Sequence, residues 1–258
     1  MSKIHPKKSL GQHFLHDQRV IHKIVDAVSV PEGGRVVEIG PGTGSLTGEL
    51  VRRFDRVTAI EIDRRVMADL REKYPDLELI QEDVLKVDWD RLLRKGEPVT
   101  VVGNLPYYIT SQILFSLLEH RNRLESAVIM MQKEVAARLV SPPGTKAYGI
   151  LSVQTQLMSR PELLFDIGPG AFTPPPSVTS SLVQLTFDRP SLMCSDQSLK
   201  RVVRTAFQQR RKKLSNSLAP LGIMPEDPRF DYSLRAERWD PALYEKLTAR
   251  LEQDGTIA

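Results

Sequence analysis

The sequence predicts an α/β fold, in which a parallel sheet carries helices on both faces and a smaller all-helical domain follows. Two observations predict it. Short β-branched runs alternate with helical patterns between residues 35 and 132, and the chain beyond residue 196 has helical patterns throughout. Strands that alternate with helices imply right-handed crossovers and a parallel sheet. In such sheets ligands bind beyond the carboxyl ends of the strands, where the strand order reverses.

The strands and helices of the first half of the chain follow from hydrophobic periodicity. Each predicted strand is a short apolar or β-branched run: residues 35–39, 56–60, 77–81, 98–103 and 126–132. The predicted helices are residues 46–53, 64–73 and 110–120. In the last of these, Ile113, Leu117 and Leu118 share one face, as an amphipathic helix requires.

The second half of the chain changes character near residue 190. It begins with a predicted helix at residues 150–158, a strand at 162–167, a proline-rich loop and a second strand at 181–187. The predicted helices that follow are residues 199–207, 211–218 and 241–251. Because residues 189–196 read as a boundary, we expect one domain over residues 1–188 and a helical one over residues 189–258.

Composition narrows the class of protein. The net charge of +4 favours a polyanionic partner. The single cysteine, Cys194, excludes an internal disulfide and a cysteine-based metal site, so no metal is expected. No apolar run approaches the roughly 20 residues that span a bilayer, and no apolar stretch follows the N-terminal lysines as in a secretory signal. We therefore expect a cytoplasmic protein with no membrane partner.

The most informative short segment is Asn104-Leu105-Pro106-Tyr107, which follows the predicted strand at residues 98–103. It displays a carboxamide, a proline-fixed turn and an aromatic ring at the end of that strand. Hydrogen-bond acceptors beside a stacking face suit a planar nucleobase that carries an exocyclic amine. The alternative is an ordinary strand-to-helix turn, with Asn104 capping the helix and Tyr107 packing beneath it.

A glycine-rich loop follows the first strand of the predicted sheet. Residues 38–44 read Glu-Ile-Gly-Pro-Gly-Thr-Gly, an E-x-G-x-G-x-G pattern that includes Gly40 and Gly42. Glycines allow a sharp turn and a close approach of the backbone to a ligand. The spacing is neither the dinucleotide fingerprint nor a P-loop. The alternative is a turn that only joins a strand to a helix.

Two acidic residues follow the next two strands. Glu61 comes directly after the second strand, where a carboxylate can accept both hydroxyls of a ribose. Asp83 follows the third strand, where a carboxylate or its neighbouring backbone can read an adenine edge. Either acid could instead be a solvated charge or a helix cap. Successive strands that each end in a ligand candidate favour the binding site.

This arrangement resembles that of the S-adenosylmethionine-dependent methyltransferases, whose first motif has the same glycine loop. The resemblance implies a Rossmann-like class I methyltransferase sheet. It also implies S-adenosylmethionine as the cofactor, with S-adenosylhomocysteine as its product. A sulfonium cofactor has no pyrophosphate, so the loop needs no phosphate-binding third glycine. In this setting Asn104 lies where the methyl donor and an acceptor base meet, and it is expected to contact both.

The chemistry of an adenine amine explains the residues at that point. The N6 nitrogen is a poor nucleophile because its lone pair is delocalised into the ring. If the Asn104 side-chain oxygen and the Leu105 carbonyl each accept one amine hydrogen, the nitrogen can pyramidalise toward the methyl group. Tyr107 is expected to stack on the extruded base.

A more specific resemblance covers residues 7 to about 239, and it is to the small-subunit (16S) ribosomal RNA adenine N6,N6-dimethyltransferase family. Residues 8–15, Lys-Ser-Leu-Gly-Gln-His-Phe-Leu, resemble the family's first segment, which folds over the cofactor. The resemblance implies that His13 and Leu15 contact the cofactor. Since the family often has asparagine at the position of His13, that contact is expected through backbone atoms.

Two later segments extend the resemblance. Residues 172–178 resemble the family's F-x-P-P-P-x-V segment, which implies that Phe172 faces the target base opposite Tyr107; the alternative is a core position. Residues 207–218 resemble its F-x-Q-R-R-K signature. The basic run there is expected to contact RNA phosphates, although such a run is often only a solvated helix face: Arg210, Arg211, Lys212 and Lys213.

The resemblance implies an enzyme that uses S-adenosylmethionine to dimethylate N6 of two adjacent adenines near the 3′ end of small-subunit ribosomal RNA. The expected partner is an immature small subunit, bound by a monomeric enzyme. One alternative is a large-subunit adenine methyltransferase of the antibiotic-resistance type, and residues 209–212 and 235–237 favour the small-subunit enzyme over it. Another is a ribosome-assembly factor that acts mainly by binding.

Overall fold

The architecture comes from a computed structural model, which describes residues 5–7, 11–93, 96–223 and 227–257. A seven-stranded sheet dominates it, in the order β4-β3-β2-β5-β6-β9-β7. Five strands of this sheet come first along the chain: β2 (Arg35–Ile39), β3 (Val57–Glu61), β4 (Glu78–Gln81), β5 (Val99–Asn104) and β6 (Ser126–Gln132). All the pairings among these five strands are parallel, so their carboxyl ends meet at one edge.

The far side of the sheet is antiparallel. Strand β9 (Ser180–Thr186) runs against β6, and β7 (Arg160–Ile167) is its other neighbour. The central strands β2 and β3 are buried along their whole length, because helices cover both faces. Continuous apolar runs such as Val36-Val37 are therefore typical of these central strands. The fold class predicted from the sequence is confirmed.

Three helices between the strands begin and end close to their predicted bounds: α2 (Ser45–Arg53), α3 (Arg64–Lys73) and α5 (Thr110–Glu119). A fourth, the short α4 (Trp89–Leu92), was not predicted. Asp63 caps α3 through a hydrogen bond from the Arg65 backbone N–H. Asp63 lies two residues after the end of β3, so this capping hydrogen bond fixes the turn between β3 and α3.

A small second sheet and the helix that follows its first strand were not predicted. A two-stranded sheet pairs β1 (Phe14–Leu15) with β8 (Phe172–Thr173), and α1 (Gln18–Asp26) follows β1. Strands of two residues are too short to give a periodic signal, which explains why the sequence did not indicate them. The pairing fixes the N-terminal segment against the loop that precedes the prolines.

The chain contacts divide the structure into two units. The first contains Met1–Ala136 and Glu162–Phe187, and the second contains Ala137–Pro161 and Asp188–Ala258. The expected division placed residues 137–161 with the sheet. They belong to the second unit because α7 (Ile150–Met158) packs against α8 (Asp196–Gln208) and α10 (Pro241–Gln253). The two units separate again between Phe187 and Asp188.

The second unit has an aromatic core. Neighbouring rings lie 5.5–6.2 Å apart, centroid to centroid, along the series Tyr148, Phe207, Tyr244, Trp239, Phe230 and Tyr232. The buried Tyr148 hydroxyl donates to the Trp239 carbonyl at 2.8 Å, and the Tyr244 hydroxyl donates to the Ala236 carbonyl at 2.7 Å. Aromatic side chains suit such a core because they bury large apolar surfaces while their hydroxyl groups form hydrogen bonds.

One predicted helix was too long. The sequence indicated a helix over residues 211–218, but only α9 (Leu214–Ser217) is helical there. The basic run before it is a turn, and Lys213 forms an isolated antiparallel bridge with Arg235. That tertiary pairing holds the Lys213 backbone extended, at φ −66° and ψ 153°, so a helix cannot continue through it.

We predict that Tyr148→Phe destabilises the protein by about 1–3 kcal/mol, since it leaves the buried Trp239 carbonyl without its donor. The measurement is urea unfolding followed by circular dichroism. The matched control is Tyr108→Phe, which removes a hydroxyl from a side chain that is 62% exposed and should change little. Equal effects of the two substitutions would contradict the prediction.

Candidate active site

A cavity in the first unit opens where the carboxyl ends of β2, β3 and β5 meet. Its walls are the glycine loop after β2, the turns after β3 and β4, the segment at residues 104–109, and residues 11–15 of the N-terminal segment. The order β3-β2-β5 places the switch in strand order beside β2, at the position where α/β sheets bind ligands. Every candidate for cofactor binding named from the sequence lines this cavity.

The glycine loop needs its glycines for two reasons. Gly40 and Gly42 have φ values of 69° and 56°, in the left-handed region that side chains with a Cβ disfavour. A Cβ on Gly42 would lie 3.0 Å from Cδ1 of Phe14. The loop therefore approaches both the cavity and the N-terminal segment at distances that only glycine allows.

Glu61 is buried, with 6% of its surface exposed, so it is not a solvated surface charge. Its Oε1 accepts hydrogen bonds from the backbone N–H groups of Ile62 at 2.9 Å and Asp63 at 2.8 Å. It does not cap α3, because Asp63 fills that role. Burial raises the Glu61 pKa, and the backbone hydrogen bonds oppose that rise.

Asp83 lies at the next turn along the edge. It is half-buried, and its Oδ1 accepts a hydrogen bond from the Leu85 backbone N–H at 3.0 Å. The side chain thus closes a short turn at the wall of the cavity. Glu61 and Asp83 end up on one side of the cavity because β3 and β4 are adjacent and parallel.

The Asn104 carboxamide has a fixed orientation. Its Nδ2 donates to the backbone carbonyl of His13 at 2.9 Å. Because a carbonyl can only accept, the amide must turn its NH2 end to His13, which leaves Oδ1 as the acceptor of the group. Asn104 does not cap α5, whose first residue is Thr110 and whose cap position is Ile109. The capping alternative is therefore excluded.

The neighbours of Asn104 are also held. The Leu105 backbone N–H donates to the Met130 carbonyl at 3.1 Å, and its side chain is buried. The Tyr107 hydroxyl and the Ser180 hydroxyl lie 2.7 Å apart. Burial raises the Tyr107 pKa, so the phenol stays neutral at physiological pH. Tyr107 lines the cavity with its aromatic ring half-buried.

The N-terminal segment forms the opposite wall. His13 and Leu15 both line the cavity, and the His13 ring stacks against Tyr107. Of the segment that carries the family resemblance, residues 8–10 lie outside the described residues. The His13 backbone carbonyl already accepts a hydrogen bond from Asn104.

Phe172 does not face the cavity. The structure places its side chain in the hydrophobic core, with 2% of its surface exposed, among residues such as Leu15 and Leu182. The pairing of β8 with β1 puts Phe172 opposite Leu15 and directs it inward. In this structure the expected stacking position opposite Tyr107 is therefore wrong, and the core alternative describes Phe172.

The basic run lies in the second unit and divides into two parts. The Arg210 guanidinium donates to the backbone carbonyls of Lys146 and Tyr148, so this side chain holds a loop of its own unit. The other three side chains are exposed: Arg211, Lys212 and Lys213. They stay candidates for RNA contact, whereas the structure gives Arg210 a role in holding that loop.

Two further acidic residues belong to this site, and neither was predicted from the sequence as a site residue. Glu38 lines the cavity with 1% exposure, and Thr47 Oγ1 donates to its Oε2 at 2.7 Å. Burial, and to a smaller extent the charge of Glu61, raise the Glu38 pKa to about 7. The sequence contained a signal for the position of Glu38, since this residue is the first of the glycine-loop pattern.

The second is Asp63, which connects the N-terminal segment to the sheet. Its carboxylate lies 3.7 Å from Lys7 Nζ, 2.6 Å from Arg65 Nη2 and 3.4 Å from Gln12 Nε2. The Arg65 guanidinium, with a smaller contribution from Lys7, lowers the Asp63 pKa to about 2. A charged Asp63 therefore anchors Lys7 and Gln12 of the N-terminal segment as well as Arg65 of α3.

The described part of the chain contains no group of three or more His, Cys, Asp or Glu side chains arranged to hold a metal ion. None of its helices is both long enough and apolar enough to cross a membrane.

The parallel sheet, the glycine loop and the polar residues at its edge define a Rossmann-like class I methyltransferase. Residues 4–230 match the family described as ribosomal RNA adenine dimethylase. The chain is 50% identical to ribosomal RNA small subunit methyltransferase A of Salinibacter ruber over 218 residues, which are 83% of this chain and 73% of the relative. The corresponding Porphyromonas gingivalis protein is 45% identical over 260 residues, covering 98% of this chain and 100% of the relative. The chain belongs to the ribosomal RNA adenine dimethylase family.

Solved structures agree on the fold. A dimethyladenosine transferase from Plasmodium falciparum superimposes with a TM-score of 0.79 at 24% identity, covering 95% of this chain and 98% of that one. The 23S rRNA methyltransferase ErmE superimposes with a TM-score of 0.69 at 28% identity, covering 93% of this chain and 100% of that one.

We predict that Glu38→Gln removes a pH dependence of stability. The folded state raises the Glu38 pKa from 4.5 to about 7, so it binds more protons than the unfolded state across that window, and stability falls as the pH rises through it. The substitution should stabilise the protein at pH 8 by about 3 kcal/mol relative to its effect at pH 4.

The measurement is urea unfolding of both proteins from pH 4 to pH 8. Glu72→Gln, at an exposed position of α3, is the matched control and should leave the pH dependence unchanged. A wild-type pH profile that Glu38→Gln reproduces without change would contradict the assignment.

Proposed function

We propose that this chain transfers methyl groups from S-adenosylmethionine to N6 of two adjacent adenines near the 3′ end of small-subunit ribosomal RNA, giving N6,N6-dimethyladenosine. The observation that carries the proposal is the Asn104 carboxamide, held by His13 so that its oxygen remains an acceptor beside Tyr107. Dimethylation of small-subunit adenines agrees with the names of the curated relatives and of the family.

The cavity fits the proposed cofactor. Glu61 would accept the ribose hydroxyls through Oε2, since the Ile62 and Asp63 backbone N–H groups donate to Oε1. Asp83 and its turn would read the adenine edge, while Gly40 and Gly42 allow the close approach that the methionine part needs. The buried carboxyl group of Glu38 lines the same cavity. When bound, the cofactor supplies an electrophilic methyl group on a positively charged sulfur.

The residues around the acceptor amine act by positioning. Asn104 Oδ1 and the Leu105 carbonyl would each accept one N6 hydrogen, which aims the nitrogen lone pair at the methyl group. Tyr107 would stack on the base after it leaves its own stack. A strong general base is unnecessary, because the N6 proton becomes acidic only after methylation places positive charge on the nitrogen.

A second transfer to the same nitrogen sets a further requirement. After the first transfer only one N6 hydrogen remains, so either Asn104 or Leu105 must accept it alone. The pocket must also have space for the methyl group already present. The dimethyl product is therefore proposed from membership of the ribosomal RNA adenine dimethylase family.

The proposed partner is ribosomal RNA within an immature small subunit, bound by a monomer in the cytoplasm during small-subunit biogenesis. The exposed side chains of Arg211, Lys212 and Lys213 would contact its phosphates from the second unit. Their role does not depend on base identity, since phosphate contacts position a protein without reading sequence.

We predict that Asn104→Ala lowers the rate of methyl transfer by about 10²–10³-fold, the usual cost of one preorganised polar contact at a reacting centre. The measurement is transfer of labelled methyl groups onto unmethylated small subunits, with the product nucleosides weighed by mass spectrometry. Asn122→Ala, at an exposed position, is the matched control. Full activity of Asn104→Ala would contradict the proposed chemistry.

The same assay separates the alternatives. Label that appears on large subunits would favour the antibiotic-resistance type of enzyme. An Asn104→Ala protein that transfers no methyl group but still binds subunits and supports their assembly would favour a role by binding.

We predict that Arg211→Ala/Lys212→Ala weakens subunit binding and makes it less dependent on salt. Each lost phosphate contact should reduce the slope of log affinity against log salt by about 0.7–0.9. The measurement is equilibrium binding to small subunits over a series of salt concentrations. The control, Arg204→Ala/Lys246→Ala, removes the same charge from exposed helical positions of the same unit. An equal loss of slope in the control would show that only net charge matters.

A further inference from the structure

We infer that His13 is a positioning residue for the target base, because its ring fixes the orientation of Tyr107. This inference rests on the proposed function, since it concerns the ring on which the adenine would stack. It assigns His13 a role through its imidazole, in addition to its place on the cofactor cavity.

The contact that carries the inference is a stack of two rings. The His13 and Tyr107 ring centroids lie 5.7 Å apart, and the ring planes differ by 24°. A second contact holds the far end of Tyr107, where its hydroxyl lies 2.7 Å from the Ser180 hydroxyl. The ring is therefore held on one face and at its tip, and a base must use the face that His13 does not cover.

His13 is itself held on the opposite side. Its Nδ1 lies 2.8 Å from the Pro174 backbone carbonyl, and a carbonyl can only accept a hydrogen bond. The proton of the neutral ring therefore resides on Nδ1, and the plane of the imidazole is set by the proline loop. The loop determines the plane of His13, and His13 in turn determines the plane of Tyr107.

The backbone of His13 orients Asn104, which would hold the amine of the target base. The His13 carbonyl accepts from Asn104 Nδ2 at 2.9 Å. One residue of the N-terminal segment thus orients the amide through its backbone and the aromatic ring through its side chain. A substitution at His13 removes the second effect and leaves the first, which makes the two separable by experiment.

The test compares His13→Ala, His13→Asn and His13→Phe with wild type in methyl transfer to unmethylated small subunits. His13→Ala should lower kcat by about tenfold at most, the value expected for loss of one aromatic contact. The KM for S-adenosylmethionine should stay unchanged. His13→Phe, which retains a flat ring but loses the hydrogen bond to Pro174, should recover part of the rate, whereas His13→Asn, which retains a polar group without a ring, should not.

A double-mutant cycle with Tyr107→Leu keeps the test valid if a single variant is unstable. Once the Tyr107 ring is gone, His13→Ala should cause no further loss of kcat. The control is His16→Ala, an exposed histidine three residues away that does not line the cavity.

Three results would overturn the inference. One is a His13→Phe protein as slow as His13→Ala, and another is a full loss from His13→Ala in the Tyr107→Leu background. The third is a raised KM for the cofactor with unchanged kcat, which would make the His13 ring a cofactor contact only. Failure of the proposed function looks different, because wild type and His16→Ala would then transfer no methyl groups to small subunits.

Discussion

The hydrogen bond from Asn104 to the His13 carbonyl joins two parts of the chain that are 91 residues apart. It closes the cavity on one side and gives the carboxamide a single orientation. The N-terminal segment can make this contact because β1 pairs with β8 and because Asp63 anchors Gln12. Without that bond the amide could rotate, and the acceptor oxygen would have no fixed direction.

The sheet supplies the remaining geometry. Parallel strands end at one edge, so a residue at the end of each strand contributes to one cavity regardless of its position in sequence. Glu61, Asp83 and Asn104 follow this rule, since each stands at or just after the end of its strand. The helices contribute by burying the sheet on both faces, and the buried surroundings of Glu38 and Glu61 follow directly from that burial.

Strand-end residues could be predicted from the sequence because strand periodicity and the topology of parallel sheets are local and general rules. The roles of Phe172 and Arg210 could not. Whether Phe172 points inward depends on its pairing with Leu15, which is distant in sequence. Arg210 donates to the Lys146 and Tyr148 carbonyls, and no pattern of charges reveals such a partner. Tertiary contacts decide these positions, as they decide where α9 begins.

The buried carboxylates also bear on turnover. Glu38 and Glu61 repel one another inside the cavity, and each is costly to ionise there. Such a pair favours a cation over a neutral molecule of the same shape. The proposed methyl donor carries positive charge on sulfur, and its product does not. The cavity should therefore hold the spent molecule less tightly, which favours its exchange for a fresh one between the two transfers that dimethylation requires.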